Sequence, residues 1–383
     1  MRRLHADPYD LHVSVIRSFD DLKSHAVDWN TLACNSPHRL PMLSHAWVSS
    51  YLEHRLKPEE SWFCLLAMAK GRLVGVLPLV ESRRRRFGTR CVWLRTPNDL
   101  HTISVDFLVH DGLESVLIPR LIAAIDQHCP DWCGLELRRL PEQSPTLRIN
   151  DHDVSSGLIL REFDGYGSYV DTHGSFEEYQ SQLSANFRRN LKRAAKHLGD
   201  LRQLSMIVVS GPDSTDADLE RFMRLEASGW KGRAGSAIMR SPDLQRFYHT
   251  LTRRLTEAGM LEWHFLKTGD TTLAGHLACR VNGALVFCKI AYDEDYSYYS
   301  PGNYLFEQLV KRACQTNALS EINCLTDMDW HRNWKTQLRA HYNVYFYPKR
   351  LRAILTGAFP RRIWIAMKKS PLLRQIKNRL FDK

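Results

Sequence analysis

Three titratable side chains and one short turn hold most of the chemistry this sequence could perform. Glu226 opens the spacing Glu-x-x-x-Trp-Lys that closes on Trp230 and Lys231. Its carboxyl could serve as a general base if burial raised its pKa toward neutrality, or it could form a salt bridge with Lys231. His331 titrates in the range useful for proton transfer, and it could equally be a hydrogen-bonded structural histidine, one of seventeen in the chain. Asp327 lies four residues earlier and could cap the helical turn that follows it. The turn is Ser300-Pro301-Gly302-Asn303, followed by Tyr304. A helix start exposes unpaired N–H groups and positive dipole, so a turn-to-helix junction here is ready to hold a phosphate. That points to a phosphate-bearing cofactor; an ordinary turn capping a core helix is the alternative.

Two periodicities must position these groups. Residues 261–266, 273–281 and 284–291 are short apolar runs separated by Thr268-Gly269-Asp270 and Asn282-Gly283, which predicts an antiparallel meander. From Tyr304 the period changes, and Leu305, Phe306, Leu309 and Ala313 fall on one helical face. Upstream, Phe176, Tyr179, Leu183, Phe187, Leu191, Ala194 and Leu198 predict one long helix. Arg188, Arg189, Lys192, Arg193 and Lys196 form its opposite, basic face, read either as solvated or as a surface for an acidic ligand. A strand at 203–209 and helices at 216–229 and 241–258 precede the meander. A short strand at 321–325, a helical or irregular piece at 330–338 and a strand at 342–347 follow the Tyr304 helix. His276, beside Gly275 in the second run, could face core or cleft.

The first half reads as a smaller version of this plan. It has a strand at 12–16, helical stretches around 19–30 and 44–54, and a hairpin of 62–69 and 73–80. Strands near 91–94 and 105–109, a helix at 113–128 and a strand at 134–140 complete it. Arg83 to Arg86 are expected in a hairpin loop. Leu73-Val74-Gly75-Val76-Leu77 is similar to Leu273-Ala274-Gly275-His276-Leu277, a weak sign of duplication, and only the second copy continues through a turn into a helix. The polar stretch 141–157 is the best boundary, giving domains at 1–150 and 157–348 and a tail at 349–383. The fold class expected is α/β: two tandem units, each with a mixed, largely antiparallel sheet flanked by helices.

Composition narrows the classes. With 383 residues, 44% of them hydrophobic, and ten tryptophans, the chain can bury sizeable cores. No apolar run approaches membrane-spanning length, and the first residues lack the apolar core of a secretory signal. The nine scattered cysteines suit a reducing compartment, and Cys129 and Cys133 beside His128 lack the second ligand pair a zinc site needs. The formal charge of +11 is local: residues 349–383 hold eleven Lys or Arg and one acid, leaving the preceding 348 residues near +1. Arg361 to Phe381 interleaves Ile363, Trp364, Met367, Leu372, Leu373, Ile376, Leu380 and Phe381 with basic residues, broken at Pro371. That pattern describes an interfacial anchor drawn to anionic lipid, or a terminal helix packed back on the body. Nucleic acid ranks third as a partner, because no known binding module accompanies the charge.

Four stretches resemble the GNAT acyltransferase superfamily, and within it the CelD-like branch linked to cellulose and exopolysaccharide synthesis, related to the FemAB peptidyltransferases. They are Phe187-Arg188-Arg189-Asn190-Leu191-Lys192-Arg193-Ala194, the segment Leu225 to Gly235, Ala291-Tyr292-Asp293-Glu294 leading to Tyr299-Ser300-Pro301-Gly302, and Asp327 to Trp334. Together they cover roughly 165–348. The resemblance implies an acyl-CoA donor, acetyl-CoA or another, with its pyrophosphate at Ser300, Pro301, Gly302, Asn303 and Tyr304. A glycine suits that place because a Cβ would hold backbone N–H groups away from phosphate oxygens. Two departures stand out. Only Gly302 remains of the glycines in the usual phosphate loop, and Trp330-His331 stands where the branch has Tyr-Lys before the tryptophan matched by Trp334.

Direct acyl transfer of this type needs a deprotonated nucleophile, a stabilised oxyanion and a protonated leaving thiolate, without an acyl-enzyme. The resemblance therefore makes Glu226, Asp327 and His331 the catalytic candidates, with Asp327 able to orient a substrate amine. It makes Arg188, Arg189, Lys192, Trp230 and Lys231 the candidates for binding the acceptor. The implied activity is N- or O-acyl transfer to a sugar, polysaccharide or cell-envelope precursor, in the cytoplasm or at the inner face of the membrane. The alternatives are aminoacyl transfer of FemAB type from charged tRNA, and a catalytically silent scaffold that binds a membrane synthase.

Overall fold

The computed structural model describes residues 10–86, 89–154, 157–316 and 318–369. In chain order the first elements are β1 (Leu11–Ile16), α1 (Phe19–Ser24), α2 (Ala26–Cys34), α3 (His45–His54), β2 (Glu60–Ala69), β3 (Arg72–Arg86), β4 (Thr89–Arg95), β5 (Leu108–Val109), α4 (Glu114–His128) and β6 (Trp132–Pro141). There follow β7 (Gly157–Asp171), α5 (Phe176–Gln182), α6 (Ala185–Gly199), β8 (Leu204–Ser210), α7 (Asp216–Ser228), α8 (Trp230–Arg233) and α9 (Pro242–Glu257). Then come β9 (Leu261–Thr268), β10 (Thr271–Val281), β11 (Ala284–Tyr292), α10 (Pro301–Thr316), β12 (Glu321–Asn323), β13 (Gln337–Pro348), α11 (Leu351–Ala353), a π turn (Ile354–Ala358) and α12 (Phe359–Lys369).

Compactness divides the chain into Met1–Lys23 with Leu56–Gly165 and His341–Lys383, and Ser24–Arg55 with Tyr166–Ala340. This differs from the contiguous split at 1–150 and 157–348. The helices α2 and α3 join the second unit because α3 packs along α9, where Arg254 pairs with Glu53 at 2.7 Å and His54 Nε2 meets Thr250 Oγ1 at 2.8 Å. The strand from His341 joins the first unit because it pairs antiparallel with β6, Val344 opposite Leu137.

In the first unit the strands run β1-β2-β3-β4-β6-β13, with β5 on β3. Among the described pairings of this unit only β4 and β6 are parallel, joined by the crossover through α4. The apolar stripe of α4 (Leu117, Ile118, Leu121, Ile122, Ile125) is buried against Phe63, Leu65, Leu77 and Leu79. Arg83 to Arg86 lie on β3 opposite β4 rather than in a loop, because the strand runs on through its charges to Arg86. Cys129 and Cys133 are buried, and no group of three metal-ligating side chains occurs among the described residues.

In the second unit the order is β7-β12-β11-β10-β9-β8. The Asn282-Gly283 hairpin forms as expected, Val281 opposite Ala284, with both turn residues at positive φ. One face of the sheet is covered by α5, α6 and α10 through Phe176, Phe187, Leu191, Leu305, Phe306 and Leu309. The other carries α7 and α9, with Phe222 against Trp263. The stripe 176–198 makes two helices, not one. Leu183 and Ser184 are extended, and Ser184 Oγ accepts the Phe187 N–H at 3.2 Å, starting α6 as an N-cap. Leu183 stays buried, so the apolar period survives the break.

Both units thus contain a three-stranded meander, a crossover helix and a parallel strand, which is the fold class expected. The similar pentapeptides do not correspond in position, however. A Cβ on Gly75 would meet Leu117 of α4 at 3.6 Å, on the crossover-helix side, whereas a Cβ on Gly275 would meet Leu225 of α7 at 3.2 Å, on the opposite side.

Candidate functional site

The site is built where β11 outlasts its neighbour. β11 pairs with β12 in parallel only from Ala284 to Val286, and β12 ends at Asn323. Beyond Phe287 the strand continues to Tyr292 while its burial falls away. A register shift opposite Leu277 and Ala278 makes Cys288 an extra residue, a bulge that re-aims the outer half of the strand. α10 starts at this same end and returns the chain to β12, so a helix N-terminus stands where β11 and β12 part after three paired residues.

The junction is tighter than a simple Ser-Pro-Gly turn. Residues Glu294–Tyr299 form 3-10 turns, Ser300 sits in the left-handed region at φ 50°, and Pro301 is the first helical residue. Gly302 needs no positive φ, and a Cβ there would meet nothing nearer than Tyr292 at 3.9 Å. Neither backbone conformation nor packing asks for glycine there. Asn303 is not free to bind a ligand with its carbonyl, because Oδ1 accepts the Trp334 indole N–H at 3.3 Å. Tyr304 is half-buried, and burial with the nearby Glu307 raises its hydroxyl pKa.

Glu226 is fully buried and shared between two ammonium groups. Its Oε1 lies 2.7 Å from Lys289 Nζ and 3.1 Å from Lys231 Nζ, and its Oε2 accepts the Ile238 N–H at 2.9 Å. Burial pushes the carboxyl up, but Lys289 and Lys231 outweigh it and hold the group below its ordinary range. Of the two readings the sequence leaves open, the salt bridge with Lys231 is formed, and the carboxyl is not raised toward neutrality as the reading as a base requires. Two ammoniums thus share one carboxylate, and burial, with Lys231, pushes Lys289 down despite Glu226. Lys231 also donates to the Ile290 carbonyl at 3.2 Å. Arg233 pairs with Glu294, so the 229–233 segment is tied along the outer end of β11. Gly232 in that segment is obligatory, since a Cβ would lie 1.8 Å from the Ala227 carbonyl oxygen.

His331 is buried, its Nδ1 2.6 Å from Ser168 Oγ and 3.1 Å from the Met328 N–H that donates to it. An acceptor Nδ1 leaves the ring proton on Nε2 in the neutral form. Burial lowers its pKa, against the pull of Asp327. The ring packs 4.1 Å from Trp330, which lies edge-on to Phe306 of α10. Asp327 itself is solvent-exposed. His276 faces the core, 4.6 Å from Phe287, and burial drives its pKa well down.

The basic helix face divides. Arg188 donates to the carbonyls of Gln180 and Ser181, at 3.4 and 2.7 Å, and so caps the end of α5. Arg189 and Lys192 are exposed. Trp230 opens α8, and its side chain lies outside what is described. The structure therefore brings Asn303, His331 and Trp334 together on the α10 face, through Trp334 on Asn303 and Trp330 on Phe306, while Glu226 and Lys231 meet Lys289 on the face that carries α7 and α9. Sequence reasoning missed Lys289 and Ser168. A lysine inside an apolar strand run was the available signal for the first; a lone serine in β7 gave none for the second.

Residues 185–343 match the family model described as acetyltransferase (GNAT) domain. No curated protein matches the sequence. Among solved structures the fold is similar to that of FemX, with a TM-score of 0.59 and 11% identity over 88% of this chain and 97% of that one. It is also similar to a conserved protein of unknown function from Bacteroides thetaiotaomicron, TM-score 0.53, 10% identity, covering 88% of this chain and all of that one. A third is the C-terminal domain of a putative lysylphosphatidylglycerol synthetase from Agrobacterium fabrum, TM-score 0.50 and 9% identity, covering 85% and 92%. At these identities the likeness is one of fold. With the matched domain it supports an acyltransferase.

Proposed function

We propose that the second unit transfers an acyl group directly from an acyl-CoA, acetyl-CoA being the simplest, to an amine or hydroxyl of a saccharide or cell-envelope precursor, as in the CelD-like branch. The observation that carries this is the helix start at Gly302: unpaired N–H groups at the head of a sixteen-residue helix, where a Cβ would only touch Tyr292, at an ordinary 3.9 Å. The helix start has no acidic residue in its first turn to repel a phosphate. When bound, the donor supplies an activated acyl carbonyl and a thiolate leaving group. Ser300 and Pro301 fix the approach of the chain, and the Gly302 and Asn303 N–H groups would hold the pyrophosphate. Glu226 holds Lys231 and Lys289 in place along β11, leaving their charge available to an acidic acceptor. Asp327, exposed one turn before His331, is the group we assign to orient an acceptor amine, with the Ser168-held His331 as its support. Arg189 and Lys192 are assigned to the acceptor's acidic groups.

Calorimetric titration with acetyl-CoA tests the donor site, and thiol release on adding amino sugars tests transfer. No heat with acetyl-CoA or longer acyl-CoA would sink the proposal and leave the scaffold reading. A second reading, aminoacyl transfer from charged tRNA, draws on the likeness to FemX across most of both chains. It predicts transfer of a labelled aminoacyl group from tRNA and indifference to acyl-CoA.

A further inference from the structure

The chain after β13 presents its large apolar side chains to solvent and its small ones to the protein. Leu351, Leu355, Phe359, Ile363, Trp364 and Met367 are each between 42% and 73% exposed. Five of them recur at four-residue steps. In an α-helix such steps drift by about 40° each, and the underwound π turn at Ile354–Ala358 offsets that drift and holds the stripe together. The face turned inward is Ala353, Thr356, Gly357 and Ala358, all buried. A Cβ on Gly357 would stand 2.5 Å from the Tyr347 ring and 3.0 Å from Trp93, so this contact is as close as backbone can come. Ion pairs lock the segment in this orientation: Arg350 to Asp126 at 2.7 Å, Lys368 to Glu162 at 2.5 Å and Arg361 to Glu162 at 3.8 Å. Arg361 also lies over the Tyr345 ring at 4.1 Å.

A terminal helix that merely packed back on its body would bury Phe359 and Trp364 and expose Ala353 and Gly357. Here the reverse holds. We propose that residues 351–369 form a bilayer-docking surface: the helix lies in the plane of an anionic phospholipid membrane, its large apolar stripe inserted at the headgroup boundary. The choice of occupant follows from charge. Residues 349–383 carry eleven basic side chains and one acid, and the sequence after Lys369 adds Arg374, Lys377, Arg379 and Lys383. A second copy docking on this face would bring another such segment against the first, which like charge opposes. An anionic lipid surface complements it, each basic residue near the surface strengthening binding roughly fivefold. The surface belongs to the first unit alone and is independent of the donor assigned to the second. No helix among the described residues is long and apolar enough to cross a membrane, so docking here is interfacial.

Co-sedimentation of the full chain with extruded vesicles tests this, using phosphatidylcholine alone and phosphatidylcholine containing about a third phosphatidylglycerol. The full chain should pellet with the anionic vesicles, weakly with the neutral ones, and less as salt is raised. Leu355→Ser/Phe359→Ser/Trp364→Ser alters only exposed side chains, so circular dichroism should be unchanged while partitioning falls roughly a hundredfold. Equal partitioning of this variant and the parent overturns the proposal. So does a parent that ignores anionic vesicles, whether it is monomeric or forms a dimer that the triple substitution dissociates.

Discussion

Gly302→Ala separates a ligand-driven glycine from a structural one. Within a helix alanine is favoured over glycine by up to about 1 kcal/mol, chiefly through backbone entropy, and by less in the first turn, where Gly302 sits. Nothing in the protein opposes the new methyl, whose nearest neighbour would be Tyr292 at 3.9 Å. The variant should therefore unfold at a temperature higher by about 2 °C, taking the change per kcal/mol typical of a unit this size. The same methyl would stand against Tyr292 beside the Gly302 and Asn303 N–H groups. Displacing a phosphate from one charge-assisted hydrogen bond forfeits about 1.5–3 kcal/mol, a loss of affinity of about ten- to a hundredfold. The expected signature is opposite movement of two quantities: higher thermal stability by calorimetry and weaker acetyl-CoA binding by titration. A variant that binds acetyl-CoA as tightly as the parent would refute a pyrophosphate at this helix start. A variant that is less stable would show that the space is filled by protein after all.

The other substitutions test the supports. Glu226→Gln leaves Lys231 and Lys289 without their counter-charge and should cost about 3 kcal/mol in urea unfolding at neutral pH. The Glu226 carboxyl titrates lower in the folded than in the unfolded chain, so its contribution is complete above the ordinary carboxylate range. That contribution fades as pH falls through the depressed folded value, and parent and variant should converge in acid; a gap that persists there would refute the ion-pair account. Gly357→Ala drives a methyl into Tyr347 and should destabilise by about 1–3 kcal/mol, read by denaturant midpoint, whereas an unchanged midpoint would mean that the helix can shift outward.

Much of this arrangement was legible in the sequence, and the misses have physical causes. The meander, its Asn282-Gly283 hairpin and the Leu305-Phe306-Leu309 stripe were readable because period and turn chemistry agree. The break at Leu183 and Ser184 was hidden because the apolar spacing passes through it unchanged; only Ser184, a capping residue, marked it. The unit boundary was missed because α2 and α3 are recruited by α9 through Glu53 and His54, a contact more than two hundred residues distant in the case of Glu53 with Arg254. The role of Glu226 turned on Lys289, which lies sixty-three residues away. No local pattern reports such a partner. The tail beyond Lys369, with Leu372, Leu373, Ile376, Leu380 and Phe381, lies outside the described residues.

The duplicated plan also fixes how many donors the chain should hold. In each unit a meander strand leads to a crossover helix, and the two helix starts differ in the chemistry that would receive a phosphate. α10 begins with Pro301 and Gly302 and has no acid in its first turn. α4 follows a short strand paired to β3, has Leu113 at its cap with no side-chain bond, and begins with Glu114. A carboxylate in the first turn already satisfies the helix dipole and repels a second anion. Unit duplication alone would predict two acyl-CoA molecules per chain; the helix starts predict one. Titration should give a stoichiometry of one that Gly302→Ala weakens. Removing the acid with Glu114→Ala should leave that stoichiometry unchanged, because α4 has no glycine within its first turn. Two equivalent sites in the parent would show that the first unit retains a donor pocket and that charge at the helix start does not decide.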